Sequence, residues 1–225
     1  MGIPEGDGPF PAVVLVHGGG WIVGSPASMG DLAEYLTFEG YLTVNTPYRL
    51  SINSPGFPGA IEDVSCAVAY AASHPRSSGD VTVIGHSAGA HIGAVVALVA
   101  DSYDDGCQPS DAGSPDRFIG LAGPYDIGRL GGILVPFFGV DEETDPALWS
   151  SGNPLNLIGE DLELEVFLLH GDADAVVPFD FSESFAAALE AGGLLAEVEI
   201  LAGVNHSQVT SPDVVGALIT EWIER

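Results

Sequence analysis

The sequence contains no lysine. Its cationic side chains are five arginines, set against 32 aspartates and glutamates, which gives a formal net charge of −27 over 225 residues. Such a surface repels phosphate backbones and anionic bilayers. Nucleic acid and membranes are therefore excluded as partners, and polyanionic substrates are disfavoured. The charge fits a solvated acidic surface working in high salt better than a dedicated cationic partner. Long apolar runs are missing too. The longest, from Ile92 to Ala100, falls well short of the roughly 20 residues of a membrane helix. No charged-then-apolar leader follows Met1, so the chain is expected to work in the cytoplasm or to have had a leader removed. Cysteine is scarce. Cys66 and Cys107 have no metal-ligand spacing, and neither sits beside a base that would make it a nucleophile. Cys66 falls in a helical pattern and Cys107 in a polar loop. A disulfide, which implies an oxidising compartment, and two free thiols both remain open.

Hydrophobic residues make up 46% of the chain, enough for a large core in a single domain over residues 1–225. Strand signals alternate with helix signals. Apolar runs at Ala12–Val16, Tyr41–Asn45, Val81–Ile84, Phe118–Leu121, Val166–Leu169 and Val198–Leu201 read as strands. Asp31–Glu39, Ala60–Ser73, Ala88–Ala100, Phe181–Ala191 and Pro212–Ile223 read as helices. In the second of these, Ala60, Val64, Ala67, Val68 and Ala71 share one face. Ser211 precedes Pro212 as an N-cap precedes a first-turn proline. This alternation predicts a mostly parallel sheet of about six strands with helices on both faces. Right-handed crossovers then bring every strand's C-terminal end to one edge, where ligand chemistry belongs. Gly128–Glu163 has no clean periodicity and is long for a connection, which marks it as functional.

At 81–93 the chain reads VTVIGHSAGAHIG. A strand runs into Gly85-His86-Ser87-Ala88-Gly89 and leaves as a helix. Glycines flanking such a tight turn let strand and helix approach, and the serine is lifted clear at a helix N-terminus, where free N–H groups favour an anion. Serine needs a base to become a nucleophile. His74 ends a helix, His86 is expected to point away across the turn, and His91 lies a helical turn further on. His17 begins a glycine run and His170 ends a strand. His206 remains, in a loop between the last strand and the last helix on the same edge as Ser87. Asp172 and Asp174 both follow the fifth strand, and either could orient the base. His17-Gly18-Gly19-Gly20-Trp21 follows the first strand. Its glycine N–H groups, with that of Ala88, can receive an oxyanion.

These motifs, with GPYDI at 123–127, HGDAD at 170–174, Val177-Pro178 and Asn205-His206, resemble the α/β-hydrolase fold from Pro11 to Trp222. The likeness is strongest to the serine esterase and lipase group with an HGGGW oxyanion loop, which includes carboxylesterases and kynurenine formamidase-like enzymes. The resemblance implies Ser87 as nucleophile, Asp174 rather than Asp172 as the acid, His206 as base, and oxyanion donors at Gly19, Gly20 and Ala88. It implies no cofactor and no metal. Hormone-sensitive-lipase-type esterases share the glycine loop but carry an N-terminal cap, and usually Asp where this chain has His86. Here only about ten residues precede the first strand, so the cap and the fold's first antiparallel strands are expected to be missing or minimal. The strand at Tyr41–Asn45 would then be an uncovered edge, to be paired in a homodimer or shielded by Met1–Phe10. Trp21, Phe137, Phe138, Trp149 and Val177 are the candidate walls of an open substrate site, with Phe137 and Phe138 as a lip. A small-molecule ester with a short acyl group is the expected substrate. A formamide such as N-formylkynurenine, and acetyl or feruloyl esters on plant polysaccharide, are the alternatives. A non-catalytic hydrolase-fold binding protein would be expected to have lost a member of the triad, and none is missing.

Overall fold

The computed structural model describes residues 1–99, 103, 106–107, 114–159 and 163–225. Among them, six strands form one sheet: β1 (Phe10–Val16), β2 (Leu42–Thr46), β3 (Ser77–His86), β4 (Arg117–Leu121), β5 (Glu165–Gly171) and β6 (Leu195–Leu201). They lie in the order β2-β1-β3-β4-β5-β6, and every neighbouring pair is parallel. The register aligns the C-terminal ends: Val16 lies against Thr46 and Gly85, His86 against Leu121, and Gly171 against Leu201. The loops that leave β1, β3, β5 and β6 therefore open on one rim.

The period of two along each strand sorts its side chains between two cores. Ala12, Val14 and Val16 of β1 face one core with Val83, Phe118 and Leu168. Val13 and Leu15 face the other with Ile84, Ile119, Phe167 and Leu169. Helices α2 (Gly59–Ser73), α3 (Ala88–Val99) and α6 (Asp180–Ala191) cover the first face, and α1 (Gly30–Phe38) and α7 (Pro212–Ile223) cover the second. In α2, Ala60, Val64, Ala67, Val68 and Ala71 are all buried, as their spacing requires. Ser211 is the N-cap of α7 with Pro212 in the first turn, although its hydroxyl makes no capping bond. The end of the expected third helix, Ala100, lies outside the described residues.

Three expectations change. β6 begins three residues early, at Leu195. β3 begins four residues early, in polar Ser77, because the Ser77–Asp80 stretch continues alongside β1. The segment 128–159 is no loose lip. It forms short helices α4 (Val135–Phe138) and α5 (Pro146–Ser151), which pack into the first core through Phe137, Phe138 and Trp149. At the β2 edge, the chain's first residues supply the shield. Gly2 pairs antiparallel with Thr43, its N–H donating to the Thr43 carbonyl at 2.8 Å and its carbonyl accepting the Thr43 N–H at 3.0 Å.

Cys66 of α2 and Cys107 are joined by a disulfide across 41 residues of chain. Closing a loop of that size restricts the unfolded chain, so replacing both cysteines by serine should cost about 4 kcal/mol in urea unfolding. A loss under about 1 kcal/mol would contradict this. Four of the arginines are in ion pairs: Arg49 with Glu62 and Asp63, Arg117 with Asp80 and Glu165, Arg129 with Asp180, and Arg225 with Glu197. Most of the 32 acidic side chains thus lack an arginine partner among the described residues. Screening should relieve their repulsion, so Tm should climb as NaCl rises from about 0.05 to about 1 M. A flat or falling Tm would rule out charge repulsion as a destabilising force.

Candidate active site

Ser87 sits in a crowded turn between β3 and α3. Its φ is 53°, a left-handed conformation disfavoured for a residue with a side chain. The neighbouring glycines explain how the turn is tolerated. A Cβ on Gly85 would strike the Gly89 carbonyl and the Ala90 Cα, and one on Gly89 would strike the carbonyls of Val16 and His17. The Ser87 N–H donates to the Leu121 carbonyl at 2.9 Å, which pins the turn to β4. The serine itself is 9% exposed.

Asp174 and His206 come from the loops after β5 and β6. The His206 Nδ1–H donates to Asp174 Oδ2 at 2.7 Å. The other carboxylate oxygen, Oδ1, accepts the N–H groups of Val176 at 2.8 Å and Val177 at 2.9 Å. His170 Nε2 stands 3.3 Å from Oδ2, and the Asp174 side chain is 1% exposed. Burial alone would raise this carboxyl's pKa. The His206 bond and the N–H groups of Val177 and Val176 outweigh it and hold the group below the ordinary carboxylate value. Asp172 instead accepts the Gly203 N–H at 2.6 Å and braces the neighbouring loop.

Three histidines that the sequence left without a role support this arrangement. His86 does not point away. Its Nε2–H donates to the His206 carbonyl at 2.9 Å, and the two rings lie 4.8 Å apart. Room for it exists because position 18 has no side chain: a Cβ there would come within 2.7 Å of His86 Nδ1. His170 donates from Nε2 to the Val177 carbonyl at 2.9 Å, while the Ser182 hydroxyl donates to its Nδ1 at 2.7 Å. His91 accepts the Trp21 indole N–H at 3.1 Å on Nδ1 and donates from Nε2 to the Gly152 carbonyl at 2.8 Å. Burial lowers the pKa of all three rings, to about 4 for His86 and His91, so they are neutral near pH 7. No spacing rule marks these partners, which are brought together from distant parts of the chain.

The HGGGW turn lies against the elbow: a Cβ on Gly18 would sit 3.1 Å from the Ser87 Cβ. Gly19, Gly20 and Trp21 have consecutive positive φ values of 132°, 58° and 61°. Among the described residues, the N–H groups of Gly19, Gly20 and Ala88 donate to no protein acceptor. Neither Ser87 Oγ nor His206 Nε2 has a hydrogen-bond partner there either. A hydroxyl, an imidazole backed by a buried carboxylate, and a set of free N–H donors thus share one rim. The expected walls lie beneath it. Trp21, Phe137, Phe138, Trp149 and Val177 are all buried. Phe138 stacks on Trp149 at 4.7 Å, and Trp21 leans on Phe137 at 5.9 Å. Phe137, Phe138 and Trp149 are buried because α4 and α5 pack into the first core. The apolar side chains exposed on these loops include Ile22, Val23, Ile52, Ile133, Val176 and Phe179.

Residues 3–189 match the model of the family described as BD-FAE. The chain is 28% identical to a probable isoprenylcysteine alpha-carbonyl methylesterase of Arabidopsis thaliana, over 96% of this chain and 49% of that protein. It is 27% identical to esterase LipQ of Mycobacterium tuberculosis, over 95% of this chain and 54% of that one. The chain thus spans about half the length of these curated relatives. Among solved structures, it resembles the propionate-bound esterase Est2 of Thermogutta terrifontis, with a TM-score of 0.80, 20% identity, and coverage of 99% of this chain and 87% of the other. A truncated carbohydrate esterase from gut microbiota gives a TM-score of 0.83 at 18% identity, over 98% and 87% of the two chains. At such identities the structural likeness establishes the shared fold.

The buried rings have a measurable consequence. His91 keeps its proton off down to about pH 4 in the fold, against an ordinary value of 6.5. Between these values the unfolded chain binds the proton and the folded chain does not, so stability falls as pH is lowered. The stability advantage of wild type over His91→Gln should shrink by about 3 kcal/mol between pH 7 and pH 4. Equal pH slopes for the two proteins in urea unfolding would contradict a neutral His91.

Proposed function

The chain belongs to the BD-FAE family, within the α/β-hydrolase serine esterases, and from that premise we propose that it hydrolyses small carboxylic esters by acyl transfer through Ser87. The observation that carries this reading is the 2.7 Å bond from His206 to the buried Asp174, on a rim shared with the strained Ser87 turn. A carboxylate so placed fixes the imidazole's tautomer. It turns Nε2 into an acceptor and stabilises the imidazolium that forms during reaction.

In the first step, His206 Nε2 takes the Ser87 proton as Oγ bonds to the ester carbonyl carbon. The carbonyl oxygen becomes an oxyanion facing the N–H groups of Gly19, Gly20 and Ala88. Collapse of this intermediate breaks the bond to the alcohol oxygen, which leaves with the proton held by His206. Water then attacks the acyl-enzyme, again giving its proton to His206, and the acid departs as Ser87 recovers its proton. The rim supports short acyl groups, because the volume beneath it is filled by Trp21, Phe137 and Phe138.

Ser87→Ala should abolish turnover of p-nitrophenyl acetate and labelling by a fluorophosphonate, and Asp174→Asn should lower kcat by about ten-thousandfold. A panel of p-nitrophenyl esters of rising acyl length, with methyl ferulate and N-formylkynurenine alongside, then reads the substrate preference. Turnover that survives in Ser87→Ala would reject the mechanism.

A further inference from the structure

The oxyanion turn has an unusual requirement. Gly19, Gly20 and Trp21 adopt three successive positive φ angles, and the first two have no side chain by which the fold could hold them. Trp21 is therefore the handle of the turn. Its own left-handed conformation opposes the ordinary preference of a bulky residue and costs about 1–3 kcal/mol, so other contacts must maintain it. Two are seen. The Trp21 carbonyl accepts the Ser51 N–H at 2.8 Å, and its indole N–H donates to His91 Nδ1 at 3.1 Å.

His91 belongs to the first turn of α3, the helix that opens with the elbow: its backbone N–H donates to the Ser87 carbonyl at 3.1 Å. Its ring is fully buried and held edge-on between Trp21 at 5.5 Å and Phe137 at 5.7 Å. The Gly152 carbonyl takes the Nε2 proton at 2.8 Å. That bond leaves Nδ1 with a lone pair facing the indole, the one tautomer that can receive it. A single buried ring therefore joins the glycine turn to the helix that supplies Ser87 and the Ala88 N–H.

We infer that His91 is a positioning residue for the oxyanion site, locking Trp21 so that the Gly19 and Gly20 N–H groups stay in register with the N–H of Ala88. The inference rests on the acyl-transfer reading above. It assigns a task to a buried histidine that takes no part in proton transfer. Because the donors it aligns act on charge that develops only at the transition state, its loss should appear in kcat rather than in KM.

The test compares wild type with His91→Leu, His91→Gln, Trp21→Phe and the Trp21→Phe/His91→Leu double variant. It measures kcat and KM on p-nitrophenyl acetate and Ki for a trifluoromethyl ketone that mimics the tetrahedral intermediate. His91→Leu and Trp21→Phe should each lower kcat by about ten- to a hundredfold, with KM within about threefold. Ki should rise by the factor by which kcat/KM falls. The double variant should be little worse than either single one, since both remove the same bond. Glutamine, which carries both an acceptor and a donor, should restore kcat to within about fivefold of wild type. Two results overturn the proposal: folded variants with kcat within about twofold of wild type, or a loss of kcat with Ki unchanged, which would mark a merely structural role. Should the leucine variant fail to fold, Trp21→Phe and His91→Gln carry the same expectations. Absence of turnover and of Ser87 labelling in the wild type would instead reject the esterase reading, and the positioning role with it.

Discussion

The constraint on which the site depends is the close crossing of α3 over the ends of β1 and β3. Gly85 and Gly89 are glycines because backbone atoms already occupy the space where their side chains would stand. This closeness forces the intervening Ser87 to a positive φ and thrusts its hydroxyl above the sheet. The strain persists because both sides are anchored. The Ser87 N–H is bonded to β4, and the Ser87 carbonyl takes the N–H groups of Ala90 and His91 as α3 begins. In-register parallel pairing then does the rest. Since neighbouring strands end level with one another, the loops carrying Gly18–Trp21, Asp174 and His206 are delivered to the same rim without any adjustment in the helices.

Around that turn the protein uses histidine as scaffolding. Three buried rings and one half-buried ring each meet a backbone carbonyl of a loop at the site: His17 with Gly18, His91 with Gly152 and His170 with Val177, and the half-buried His86 with His206. A loop at a sheet edge has carbonyls that no strand or helix satisfies, and burying them unpaired is costly. A neutral imidazole supplies one donor and keeps one acceptor, so it can bond two loops at once. Burial keeps all four below their ordinary pKa. That neutrality matters beside Asp174. A charged His86 or His170 would compete with His206 for the carboxylate's field, and in the proposed mechanism that field would support the base best when the surrounding rings carry no charge.

The sequence was legible where physics is local. Alternation of apolar strands with helices located all six strands and their common edge. The glycines at 85 and 89 marked the turn, because only a close crossing needs both. The roles of His86, His91 and His170 were not legible. Each depends on a partner between 7 and 120 residues away in the chain, and no periodicity encodes such a meeting. His86 was misplaced for a further reason: the space it fills is created by a missing side chain at Gly18, on another strand's loop. The Cys66–Cys107 bond could not be decided from spacing either, since pairing depends on where the two backbones pass. In the connection from Gly128 to Glu163, length and lack of periodicity point to a functional loop with Phe137 and Phe138 as a lip. Yet Phe137, Phe138 and Trp149 are large enough to anchor short helices that have little intrinsic stability of their own.

That inward folding bears on how the site discriminates between substrates. With the aromatic residues of the connection packed into the first core, little apolar side-chain surface remains to enclose a long acyl chain. What faces solvent on the surrounding loops is a scatter of apolar side chains, among them Val176 at 67%, Val23 at 60% and Phe179 at 36% exposure. Contacts of that kind hold substrate and transition state about equally, and uniform binding lowers KM without speeding the chemical step. In the proposed mechanism the N–H groups of Gly19, Gly20 and Ala88, which have no protein acceptor among the described residues, meet charge only as it builds on the substrate oxygen, so their energy would appear only at the transition state. On that reading the rate would be governed less by the shape of a pocket than by how firmly a turn of two glycines and a tryptophan is held, which would place much of the control over catalysis in the buried polar contacts beneath the rim.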